Sequence, residues 1–327
     1  MFSILLEGLA QIILGFWGLI YGANLLLEST TFLAKRSKFS PAIIGFIIVA
    51  LGTSLAEMIL AIQATASGAT NLTLGNVISS NIGNLTLIAG VSALIRPIEV
   101  TSQTIKNEVP MLLAAAILIL FLGLDGKINR PEGFVLVLFA VLFAWQFYLK
   151  VQAKENRNDP IMREMAQLSK LPFRGKLVEG IKIIASFFLS IAGADLVINH
   201  ALSLAKTFSL NELFLGLILG FGTVLPELVI CITASLKRQS EIVLATVIGS
   251  SVFNILLVLA IPSISGELEI DRNGLIGIML MTAVSLLFYF LTFFSFRRKQ
   301  ILSKPEGAFL VVIYLIYLLF LLNYLNK

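Results

Sequence analysis

Thr53 and Glu57 stand four residues apart in a run, Phe39 to Pro97, whose only ionisable side chains are Glu57 and Arg96. A lone carboxylate in an apolar run of membrane length costs roughly 3 kcal/mol on insertion scales, so its presence points to a function. A spacing of four puts Thr53 and Glu57 on one helix face, and Ser80 and Asn84 share that spacing. The same types recur 170 positions further on, as Thr223 with Glu227 and Ser250 with Asn254. Ser54 adds a further hydroxyl to the first box. Together these residues offer carboxylates, amides and hydroxyls, with no imidazole or thiolate among them. Such an all-oxygen set suits hard cations such as Ca²⁺ and Na⁺ and disfavours Zn²⁺ or Fe²⁺. Two glutamates also neutralise one divalent ion. Gly52 and Gly222, with Pro226 beside the second glutamate, are expected to interrupt their helices and free backbone carbonyls as further ligands.

The elements that hold these residues must be membrane helices. Of the 327 residues, 57% are hydrophobic and 13% charged, whereas a soluble domain carries about 25% charged residues. The net charge of +5 does not suggest nucleic acid, because the basic residues fall in short loops between apolar runs. One cysteine, Cys231, excludes a disulfide framework and a thiolate metal site. Apolar runs of spanning length place helices near 4–28, 41–67, 71–95, 108–125, 132–150, 177–203, 210–236, 241–265, 273–296 and 306–326. The first run lacks the basic start and cleavage site of a signal peptide and is expected to remain as a helix. Ser67 to Asn71 supplies the break between the second and third spans. The segment from Lys150 to Lys176 reads as a solvated linker.

Positive charge orients the chain. Lys127, Arg130, Lys206, Arg272 and Lys327 fall on one side and Lys182 within a span; the remaining 18 of the 24 Lys and Arg fall on the other. The richer side is expected to be cytoplasmic, with both termini outside. Equivalent boxes are five spans apart, an odd number, so the second copy enters the membrane upside down. Gly22-Ala23-Asn24-Leu25 and Gly193-Ala194-Asp195-Leu196 carry the same repeat into spans one and six. Inverted repeats point to a secondary transporter with a midplane site. Duplicated scaffolding without transport is the alternative, but the matched residues are polar ones. Asp195 and His200 read as residues near the membrane surface, and Cys231 as a small buried hydrophobe. Gly15, Gly18 and Gly22 give span one a small-residue face suited to close helix contact.

Gly-Thr-Ser-Leu-x-Glu at 52–57, followed by Gly75-Asn76-Val77-Ile78-Ser79-Ser80-Asn81-Ile82-Gly83-Asn84, resembles the first repeat motif of the prokaryotic sodium/calcium exchangers, within the calcium/cation antiporter superfamily. Gly222-Thr223-Val224-Leu225-Pro226-Glu227 with Val247 to Asn254 resembles the second. The resemblance implies an all-α membrane protein of ten transmembrane helices in two inverted five-helix repeats. Its repeats would occupy 1–150, with a motif at 44–90, and 177–327, with a motif at 214–260, joined by a cytoplasmic linker at 151–176. It implies that Glu57 and Glu227 are the central ion-binding carboxylates, with Thr53, Thr223, Ser80 and Ser250 as oxygen ligands. Ala50 and Gly220 would contribute backbone carbonyls, and spans one and six would slide during alternating access. Three positions depart from the family pattern. Ala56 stands where Pro is usual, Val224 replaces the hydroxyl of Ser54, and Asn254 stands where many members have Asp. The expected activity is Na⁺/Ca²⁺ exchange across an inner or plasma membrane, by a monomer or loose oligomer with no cofactor. Ca²⁺/H⁺ exchange is the alternative within transport, and a cation channel the alternative outside it. An intramembrane enzyme is not expected, since no His-Glu-x-x-His or Gly-x-Ser-x-Gly pattern occurs.

Overall fold

The computed structural model describes residues 2–36, 49–66, 70–155, 173–207, 222 and 224–325. The first half contains α1 (Phe2–Arg36), α2 (Leu51–Ala66), α3 (Thr70–Gly83), α4 (Ala89–Ile95), α5 (Val109–Leu122) and α6 (Arg130–Glu155). The second contains α7 (Phe173–Thr207), α8 (Leu225–Leu236), α9 (Ser240–Phe253), α10 (Ala260–Ser265), α11 (Arg272–Arg298) and α12 (Lys304–Leu325). Seven helical segments among the described residues are long and apolar enough to cross a bilayer. α3 with α4, and α9 with α10, are single rods interrupted by π-helical turns at Asn84–Ile88 and Asn254–Val258. One extra residue per turn widens a helix and leaves backbone carbonyls less well paired, which is why such turns mark functional positions.

Four two-residue strands close the connections: β1 (Ile98–Glu99), β2 (Lys127–Ile128), β3 (Leu268–Glu269) and β4 (Ile301–Leu302). β1 pairs antiparallel with β4, and β2 with β3. Swapping the two halves of the chain exchanges one ribbon for the other. Since α5 runs from the β1 end to the β2 end, the ribbons lie at opposite ends of the helices. The helix starts repeat as well. Arg130-Pro131-Glu132-Gly133 and Lys304-Pro305-Glu306-Gly307 open α6 and α12. Asn129 Oδ1 accepts from Glu132 N at 3.1 Å while Asn129 N donates to Glu132 Oε2 at 2.8 Å. Ser303 N donates to Glu306 Oε2 at 2.6 Å. Each carboxylate satisfies an N–H that the first helical turn leaves open.

Burial sorts the helices into a core and a wall. Nearly every residue of the rod from Ile242 to Ser265 is buried, whereas few of those in Lys304–Leu321 are. The wall shows apolar side chains outward, among them Phe121, Phe188 and Leu319, as a surface in contact with lipid must. α6 and α7 extend past the apolar limits read from the sequence, into Lys154 and Glu155 at one end and Arg174 at the other. Straight-chain charged residues are good helix formers, so the backbone continues into water after the apolar run has ended.

α1 and α7 pack together along glycines. A Cβ on Gly193 would lie 2.6 Å from Gly15 O and 2.8 Å from Leu19 N, and one on Gly22 would lie 2.6 Å from Ser190 Oγ. These contacts bear out the small-residue face expected for span one. Backbone atoms cannot rotate aside, so Gly193→Ala must push the two helices apart. Overpacking of this kind costs about 1–3 kcal/mol. The variant should melt several degrees lower in detergent, while Gly180→Ala, with nothing within 4 Å, should melt no lower than the parent.

Candidate ion-binding site

The site begins at the N-terminal end of α2. Residues 49–50 are π-helical, and the chain then runs as regular α-helix through Gly52, Thr53 and Glu57. Gly52 was expected to break the helix, and it does not. Its missing side chain admits a neighbour instead: a Cβ there would run into the Phe187 ring of α7. The second box does have a break. Val224 precedes α8 in a non-helical conformation, and Pro226 sits in the first turn, where a missing N–H costs least. Ala56, in place of proline, explains why the first box runs straight on.

Glu57 and Glu227 are 4% and 3% exposed. They line one small cavity of about 20 Å³ together with Thr53 and Pro226, and α7 closes it with Phe187, Ser190 and Ile191. Thr53 ties two site helices together. Its hydroxyl donates to Ala50 O at 3.1 Å and meets Ser250 Oγ of α9 at 3.0 Å; with the Thr53 proton on Ala50, Ser250 is the donor between the hydroxyls. The Asn254 amide lies beside Glu57, and Thr53 beside Glu227.

Several oxygens here have no protein partner. Ser54 Oγ, Glu57 Oε2, Ser80 Oγ, Asn84 Oδ1 and Asn254 Oδ1 are all buried without a hydrogen bond. Buried polar atoms are normally paired, and each orphan costs about 1–3 kcal/mol. Glu57 Oε2 and the Asn254 oxygen on the residue beside it are unpartnered next to a second buried carboxylate, which fits a dehydrated cation whose coordination would satisfy them. Asn84 and Asn254 each open a π-helical turn, so the two amides occupy equivalent places.

The residues expected at the site thus divide. Glu57, Glu227 and Thr53 line the cavity; Ser250 and Asn254 touch those groups; Ser54, Ser80 and Asn84 are buried with free oxygens; and Ala50 O is engaged by Thr53. Thr223 and Gly220 lie outside the described residues. Phe187, Ser190 and Ile191 were not anticipated. Ser186 and Ser190, four apart in an apolar span, were the available signal; nothing in the sequence pointed to Phe187. His200 Nδ1 contacts Leu196 O at 2.9 Å, Asp195 is exposed, and Cys231 is buried one turn beyond Glu227 on α8; none of the three lines the cavity.

Val224 settles where the second box lacks a hydroxyl. It is 1% exposed, and a Cβ on Gly83 would lie 3.1 Å from its Cγ1. Its side chain therefore packs on α3. Val224→Ser should leave the cation affinity of the cavity within about twofold of the parent while lowering stability by about 1–2 kcal/mol through lost apolar burial. Cation titration of the purified variant, beside a thermal melt, checks both effects.

Three comparisons bear on this geometry. The profile of the family described as sodium/calcium exchanger protein matches residues 7–149 and again 181–323. The inner membrane protein YrbG of Escherichia coli K12 is 34% identical over 271 residues, covering 80% of this chain and 81% of that protein. The putative antiporter CaxA of Alkalimonas amylolytica is 32% identical over 313 residues, covering 93% and 95%. Among solved structures, the sodium-calcium exchanger NCX_Mj superposes with a TM-score of 0.78 at 25% identity, over 96% of this chain and 98% of that one.

Proposed function

This chain belongs to the sodium/calcium exchanger protein family, and from that premise we propose that it exchanges Na⁺ for Ca²⁺ by alternating access. Glu57 and Glu227 are the shared ligands of both ions. The observation that carries the reading is the meeting of two buried carboxylates, one from each half of the chain, at one cavity whose lining includes the unpartnered Glu57 Oε2 and Ser190 Oγ. Thr53, Ser54, Ser80, Asn84, Ser250 and Asn254 complete the ligand set, with Thr223 and the carbonyls of Ala50 and Gly220. The halves, 1–150 and 177–327, are inverted five-helix repeats around a cytoplasmic linker at 151–176, and both termini face outward. The half-for-half exchange of the two ribbons and the doubled family match support that arrangement.

Coupling follows from charge. Empty, the site holds two uncompensated carboxylates in a low-dielectric interior, and reorienting it is costly. Filled with Ca²⁺ or with Na⁺ it is compensated and can cross. Purified protein in Na⁺-loaded liposomes should therefore take up Ca²⁺ only while an outward Na⁺ gradient exists. Uptake driven instead by a pH gradient would make protons the counter-ion. Uptake with no counter-ion at all would mean a channel.

A further inference from the structure

We propose that a groove between α3, α11 and α12 binds one acyl chain of a bilayer phospholipid. The groove is a half-open cavity of about 300 Å³, a volume within the range of ligand pockets. It shares no described lining residue with the glutamate cavity. Asp271 and Asn273, where α11 starts, stand at one end, and Leu280 lies towards the other. That stretch of α11 is ~13 Å long, and half the hydrocarbon core of a bilayer is ~15 Å. The groove therefore has the depth of one leaflet. Its polarity falls in the order of a phospholipid: a carboxylate and an amide at the mouth, then Ile78, Gly277 and Leu280 further in. At the inner end Ser79 Oγ and Tyr317 Oη meet each other at 3.1 Å, so the two hydroxyls are paired and do not call for water.

The surroundings identify the occupant. Met279, Ile316 and Leu319, beside the groove on α11 and α12, are exposed apolar side chains of the lipid-facing wall. An apolar cavity stays dry, and left empty it forfeits the dispersion contacts of its lining. Acyl chains are what the bilayer offers at that depth. Gly75 makes the room: it is exposed, and a Cβ on it would meet nothing within 4 Å. The other half of the chain is closed at the equivalent place. Ala245, 170 positions further on, is 1% exposed. Phe143 stands as far into α6 as Tyr317 into α12, and it packs edge-on against the Phe253 ring at 6.2 Å. The repeat alone thus does not produce the groove. A chain seated in it packs on the helix that carries Ser80.

The test is photolabelling of the full chain in liposomes doped with a phosphatidylcholine that bears a diazirine midway along one acyl chain, with the labelled residues mapped by mass spectrometry. Label on Ile78, Leu280 and Tyr317 should exceed that on the more exposed wall residues Phe121 and Phe188 by at least about fivefold. Gly75→Leu fills the groove and replaces a poor helix former with a good one, so it should melt no lower than the parent. It should cut the groove label at least fivefold and leave Phe121 labelled as before. Label spread along the wall according to exposure, or a folded Gly75→Leu variant labelled like the parent, would overturn the proposal. Groove label from a diazirine fatty acid but none from the phospholipid would also overturn it, in favour of a free amphiphile. Should Gly75→Leu fail to fold, the parent map decides alone. Labelling is read without ion flux, so the result stands or falls apart from Na⁺/Ca²⁺ exchange.

Discussion

Replacing either Glu57 or Glu227 by Gln should lower Ca²⁺ uptake by more than about 100-fold. Gln preserves the volume of the side chain and one of its oxygens, so packing in the cavity is conserved. What changes is charge. One remaining carboxylate cannot balance a dehydrated divalent ion, and removing one member of a buried charge pair costs about 3–5 kcal/mol, or more than two decades in affinity. Both glutamates line the same cavity, so the two variants should fail alike. Glu→Asp should be nearly as damaging, because it retracts the carboxylate by about one bond, ~1.5 Å, from an ion that needs oxygens at about 2.3–2.6 Å. Initial rates of radiolabelled Ca²⁺ uptake decide the matter, with folding checked by elution volume and thermal melt. Near-parental uptake in either Gln variant would remove that residue from the site.

Thr53→Val should have the next largest effect, because one hydroxyl there has two tasks. It joins α2 to α9 through Ser250 at 3.0 Å, and it faces the cavity beside Glu227. Valine matches threonine in shape but leaves Ser250 without its partner, at about 1–3 kcal/mol for the stranded group. On the proposed reading it would also remove one oxygen from the ion site. The expected outcome is a Ca²⁺ affinity about 10- to 100-fold weaker, with a lower melting temperature. Thr53→Ser should restore both, since it returns the hydroxyl. A variant that melts lower yet keeps its Ca²⁺ affinity would restrict Thr53 to a structural role.

The chemistry of the site could be read from the sequence because polar residues are rare in it. Against an apolar background, Thr53 with Glu57 and Ser80 with Asn84 stand out, and their recurrence 170 residues later marks a repeat without any structural input. Gly52 was misread for a physical reason. Glycine in a helix suggests a break, but here it makes room for a phenylalanine from a distant span, and that contact leaves no local pattern. The π-helical turns at Asn84 and Asn254 were also hidden, since one extra residue barely disturbs the period of a uniformly apolar helix. Two-residue strands are too short to show any alternation. α6 and α7 outran their apolar limits because charge ends a membrane span without ending a helix.

Binding of radiolabelled Ca²⁺ to the purified chain in detergent tests most directly whether one site formed by both glutamates serves both ions. The account predicts one Ca²⁺ per chain, displaced competitively by Na⁺, and no measurable binding when Glu57→Gln and Glu227→Gln are combined. Undiminished Ca²⁺ binding by that double variant, or parental binding that Na⁺ cannot displace, would contradict it.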